Sequence, residues 1–149
     1  MDTMAVTVEA MLGMSREQLD DLFRQHEAGE IPRGEGRGTV LLRWGRFLST
    51  LISRIVHRLA WQGKVFDPER GELRNEVSAF RRKLIRAKVY KAPSWFDHKE
   101  CIVLDYSHTS FVARKIRDEI REVAPGLFLG IVFWGRTKLM NFTVSFPAR

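Results

Sequence analysis

The run 127–134, LFLGIVFW, leaves this chain few possible folds. It carries no charge, is too short for the roughly 20 apolar residues of a membrane span, and suits a strand buried on both faces. Gly135-Arg136-Thr137-Lys138 reads as a turn, and 139–146 then alternates. Met140, Phe142, Val144 and Phe146 point one way, while Asn141, Thr143 and Ser145 point the other, the period of a half-buried strand. Upstream, Ile102, Leu104 and Tyr106 alternate in the same manner with Cys101, Val103 and Asp105. Between these strands the spacing of Phe111, Val112, Ile116, Ile120 and Val123 predicts a helix over 109–123, capped by Ser107 or Thr109 and ended by Pro125 and Gly126. A two-sided apolar strand beside a half-buried one, with a helix against them, is the wall of a curved sheet or barrel.

The rest of the chain extends that wall. Residues 1–14 form a flexible lead, and Ser15 with Gln18 makes a capping box for a helix over 15–28. The stretch 31–38, IPRGEGRG, has three glycines and a proline and predicts a loop into a strand at 39–44. From 46 to 61 a wide apolar face opposes Arg46, Arg54 and Arg58, predicting a helix. A hairpin follows, with strands at 62–66 and 72–77 around Asp67-Pro68-Glu69-Arg70-Gly71. Ile85, Ala87 and Val89 alternate with Arg86, Lys88 and Tyr90 in a strand ending at Pro93. Seven or so strands and about three helices give an α+β domain over 15–149: a strongly curved, mostly antiparallel sheet or a calycin-like β-barrel. A flat sheet with helices on one face is the alternative.

At 149 residues the chain can bury a core without metals or disulfides, and its one cysteine forms no internal bridge. Cys101 reads as a small buried hydrophobe. The first 14 residues contain Asp2 and no Lys or Arg, unlike a secretory signal, so a cytoplasmic location is expected. Lys and Arg number 25 against 18 Asp and Glu, a net charge of +7 that favours an anionic partner or surface.

Two segments, Gly34-Glu35-Gly36-Arg37-Gly38 and Trp61-Gln62-Gly63-Lys64-Val65-Phe66-Asp67, resemble those of a poorly characterised bacterial family named for a Gly-x-Trp-x-Gly motif followed by Trp-x-Gly-Lys-x-Phe. Gly36 stands where that motif has tryptophan. The C-terminal half is similar to small uncharacterised bacterial calycin-like proteins. The resemblance implies a small barrel-like domain and carries no activity with it.

The four histidines, His26, His57, His98 and His108, show no metal-binding spacing, and one cysteine excludes the usual structural zinc. No resident cofactor is expected, although a haem on one histidine needs no spacing motif. Without a Gly-x-Ser-x-Gly elbow, the candidates for acid–base chemistry are Asp105, Tyr106 and Glu119. Lys64 and Arg86 lie in otherwise apolar strands and would meet an anionic group if they point inward. With Trp61, Tyr106, Phe133 and Phe142 they are the candidate ligand-binding residues. These features favour binding of a hydrophobic or amphipathic, lipid-like and anionic small molecule, with the 46–61 helix as a lid or a contact with an anionic membrane surface. An enzyme acting on a lipophilic substrate is the alternative. Single-stranded nucleic-acid binding through KVYKAPSWF, where Lys88 and Lys91 interleave with Tyr90, Trp95 and Phe96, is a further one.

Overall fold

The computed structural model describes residues 6–41, 64–75, 85–108 and 113–147. Among them are eight strands: β1 (Gly34–Leu41), β2 (Lys64–Asp67), β3 (Glu72–Asn75), β4 (Ile85–Pro93), β5 (Glu100–Asp105), β6 (Ile116–Ala124), β7 (Leu127–Trp134) and β8 (Thr137–Ser145). Each pairs antiparallel with its neighbours in sequence, and β1 closes on β8, with Arg37 opposite Ser145 and Leu41 opposite Asn141. The sheet is therefore a closed barrel with no free edge, and the flat-sheet alternative falls.

Strand parity sorts the side chains. Val40, Phe66, Ala87, Val89, Ile102, Leu104, Ile120, Phe128, Val132, Phe142 and Val144 fill the interior. Cys101, Val103, Leu129, Ile131 and Phe133 face outward and are covered by the helices, which explains why β7 is apolar on both faces. At Gly130 an added Cβ would clash with the Phe142 ring, so glycine makes room for that ring.

Two short α-helices are described, α1 (Val8–Leu12) and α2 (Arg16–Gln25). The predicted capping box is present, with Ser15 Oγ accepting from Gln18 N at 3.1 Å and Gln18 Oε1 accepting from Ser15 N at 2.8 Å. α2 buries Leu19 and Phe23 against the barrel, each contributing roughly 1.5–3 kcal/mol. Arg121 on β6 fastens it. Its guanidinium donates to Phe23 O at 2.9 Å, to Glu100 O at 3.1 Å and to Lys99 O at 3.0 Å, and forms a bidentate pair with Asp97 at 2.6 Å. Burial of Asp97 works against ionisation, but the hydrogen bonds from Arg121 and Lys99 outweigh it and hold the carboxyl below its usual range.

Three expectations are corrected. Residues 8–12, expected within a flexible lead, form α1 and bury Met11. The segment 34–38, expected as a loop, opens β1, because its glycines mark close approach: a Cβ at Gly36 would come within 2.6 Å of Val144 and 2.7 Å of Phe146. The tryptophan of the resembling motif has no room at this position. The predicted helix over 109–123 is also replaced, by a 3-10 turn (Ala113–Lys115) and the strand β6. Pairing with β5 on one side and β7 on the other overrides the helical spacing of its apolar residues. The helix expected at 46–61 lies outside the described residues.

Candidate functional site

The barrel interior holds a polar cluster. Lys64 is the first residue of β2 and is fully buried; Tyr106, just past β5, is also fully buried; Asp118, third in β6, is 3% exposed. β2 and β6 stand four strands apart in the ring of eight, on opposite walls. The Lys64 ammonium nitrogen lies 3.3 Å from the Tyr106 hydroxyl and about equally far from the rings of Tyr106 (6.0 Å) and Phe142 (5.9 Å). Aromatic faces attract a cation at this range.

Electrostatics tie the two walls together. Burial, partly offset by attraction to Asp118, brings Lys64 down to about 8. Burial also drives the Asp118 carboxyl up to about 7, with Lys64 opposing the rise and Glu119 adding to it. Burial therefore favours the neutral form of both groups. Among the described residues, Asp118 Oδ1 has no hydrogen-bond partner. The other such atom among the described residues, Thr143 Oγ1, is on the outer face of β8.

Of the residues singled out from sequence, the fold brings together Lys64, Tyr106 and Phe142. Arg86 is exposed on the outer face of β4, so it takes no part in an interior anion site. Phe133 also faces outward, edge-to-face with Trp95 at 5.6 Å. Asp105 accepts from the Tyr90 hydroxyl at 2.8 Å and from Ser107 N at 2.9 Å on the outside. Burial opposes its ionisation, but these bonds hold its carboxyl below the usual range. Glu119 is buried on the outer side of β6, where Ser94 Oγ (2.5 Å), Trp95 N (2.8 Å) and Arg117 (3.0 Å) surround it. It anchors the β4–β5 connection. Trp61 lies outside the described residues.

The residue missed was Asp118. Its signal was the alternation of Ile116, Asp118 and Ile120 with Arg117, Glu119 and Arg121, hidden by the helical reading of the same stretch.

Elsewhere, Cys101 is buried beneath the helices, and burial pushes its thiol up to about 12, the behaviour of a core residue. Trp95 has the guanidiniums of Arg117 and Arg136 over its ring at 4.1 and 4.2 Å, and Phe96 has Arg24 at 4.5 Å. Those rings are already engaged within the protein. Residues 26–33 cross the rim where β6 turns into β7; Ala28 is buried with the interior side chains, and its carbonyl accepts from Glu122 N at 3.2 Å. An open groove of about 720 Å³ lies at this rim, bordered by Ile31, Pro32, Pro68, Phe128, Phe146 and Pro147. Among the described residues no group of three or more His, Cys, Asp or Glu could hold a metal, and no helix is long and apolar enough to cross a membrane.

These elements define a closed, eight-stranded antiparallel β-barrel with helices on its outer face, within the α+β class. No protein-family model and no curated protein matches the chain. A crystal structure of a protein from Thermomonospora curvata has the same fold, with a TM-score of 0.61 and 14% identity over 91% of this chain and 89% of that one.

Proposed function

We propose that this protein binds a hydrophobic or amphipathic small molecule within the barrel, with the molecule's polar group among Lys64, Tyr106 and Asp118. The observation that carries this reading is Asp118 Oδ1, a buried carboxylate oxygen without a hydrogen-bond partner. Leaving such a group unsatisfied costs about 1–3 kcal/mol or more, and a bound hydroxyl or amide would remove that penalty. The interior of an eight-stranded barrel is just wide enough for side chains to fill or for one small ligand, and the aromatic and aliphatic residues around the cluster suit an apolar body. Because Asp118 balances Lys64, the cluster has little net charge. It suits a neutral polar head group better than the anion that the basic residues alone suggested.

Native mass spectrometry of protein purified from its own host tests this reading, since a retained ligand appears as added mass. Displacement of an environment-sensitive fluorescent fatty alcohol provides the second measurement. Retained mass or saturable displacement that weakens in Phe142→Ala supports it. A folded protein with neither overturns it.

A second reading, an enzyme performing general acid–base chemistry on a lipophilic substrate, draws on the same pair. Lys64 and Asp118 both titrate close to neutrality, where a proton-transfer group is most effective. Tyr106 is the one of the three acid–base candidates from sequence that shares the interior with them.

A further inference from the structure

We propose that Lys64 is a carbonyl-reactive amine, condensing with an apolar aldehyde inside the barrel to form a Schiff base that Asp118 neutralises. The inference rests on the interior being a small-molecule site and names the chemical class of that molecule.

Lysines on a protein surface are poor nucleophiles at neutral pH because water stabilises the ammonium form. Removing the water favours the neutral amine, whose lone pair attacks carbonyl carbon. Lys64 is fully buried near the rings of Tyr106 and Phe142, and burial makes its amine easier to deprotonate than an exposed one. It is also supplied with the two other groups that the condensation needs. Tyr106 brings a hydroxyl to 3.3 Å from Nζ, where it can donate to the oxygen of a carbonyl under attack. Asp118, on the opposite wall with its Oδ1 unpartnered among the described residues, can give a proton to the oxygen that leaves as water.

The step balances with no further reagent. The Nζ lone pair forms the N–C bond, the carbonyl π pair moves to oxygen, and that oxygen takes a proton from Tyr106. The nitrogen returns a proton to Tyr106, 3.3 Å away, which restores the hydroxyl. Asp118, starting as the carboxylic acid, then protonates the carbinolamine oxygen, and water leaves as the C=N bond forms, so amine and aldehyde give imine and water. The protonated imine is positive, and the Asp118 carboxylate left behind is its counter-charge. A carboxylic acid would add a second negative charge beside Asp118, and an alcohol would have no electrophilic carbon. An aldehyde on an apolar body fits both the charge balance and the lining.

The test incubates the full chain with hexanal and sodium cyanoborohydride, which reduces an imine to a stable amine, and maps the modified lysine by peptide mass spectrometry. Hexanol, which has no carbonyl, serves as the binding control. The expected result is modification at Lys64 ahead of the exposed Lys88, Lys91 and Lys115, with protection by hexanol. Tyr106→Phe and Asp118→Asn should each slow it by about 100-fold, and Lys64→Met should abolish the adduct at that position. Hexanol or hexanal binding in the barrel with no Lys64 adduct overturns the inference while the binding reading stands. Modification confined to exposed lysines, with no binding of either compound, overturns the inference together with the apolar-ligand reading. The wild-type map does not depend on whether any variant folds.

Discussion

Lys64 and Asp118 begin on opposite walls of the barrel and act on each other across its interior, each shifted toward neutrality by burial. The groups facing them among the described residues are Tyr106 and, through the β6 wall, Glu119. Asp118 has an ordinary value of 3.8 and about 7 in the folded protein, so between those values the folded chain keeps a proton that the unfolded chain has lost. Stability therefore falls as pH rises through that window. Lys64 goes from 10.5 to about 8, so in that higher window the unfolded chain holds the extra proton and stability rises with pH. The pair's contribution has its trough between about 7 and about 8. Urea unfolding across pH 4–10 should show this trough in the difference between wild type and Lys64→Met/Asp118→Leu. A difference that does not vary with pH would contradict the assignment.

At neutral pH that double variant should be as stable as the wild type or more so, by up to about 4 kcal/mol, because it removes two buried charges together. Asp118→Leu alone should lose about 3–5 kcal/mol where Lys64 stays charged, and less as pH rises, because without the attraction of Asp118 the buried Lys64 gives up its proton more readily than in the wild type. Denaturant midpoints at pH 7 and pH 9 separate these outcomes.

Arg121→Ala should cost about 3–5 kcal/mol, since it leaves Asp97 partly buried without its bidentate partner and frees the C-terminal end of α2. Arg121→Lys should recover little of that loss, because an ammonium has no planar fork with which to hold the carboxylate and the carbonyls of Phe23, Lys99 and Glu100. Thermal melts together with hydrogen exchange at α2 would show whether the helix loosens first.

Gly130→Ala should destabilise by about 1–3 kcal/mol, because its methyl would enter the Phe142 ring position. Adding Phe142→Leu should return part of this loss, so the two changes should be strongly non-additive. A double-mutant cycle in urea measures the coupling; simple additivity would show that the ring moves aside freely.

The strands β5, β7 and β8, the β2–β3 hairpin and the capping box of α2 were legible in the sequence, because each depends on neighbours within a few residues. Alternation sets parity along a strand, and Ser15 and Gln18 meet within one turn. β6 was not legible. Ile116, Ile120 and Val123 fit a helix as well as a strand, and the choice was made by β5 and β7, which offer pairing on both sides.

The sequence by itself determined that this chain would form an antiparallel, sheet-rich domain with an apolar wall, since a two-sided apolar strand and its alternating neighbour can be buried in few other ways. Only the tertiary structure decided which face became the interior. Lys64 and Arg86 both lie in otherwise apolar strands, yet Lys64 shares its face with Phe66, which the barrel encloses, while Arg86 lies on the face opposite to Ala87. Closure of the barrel brings Asp118, 54 positions from Lys64 along the chain, into the same enclosed space. Parity is local, but the partner that balances a buried charge is set by which walls face each other when the barrel closes.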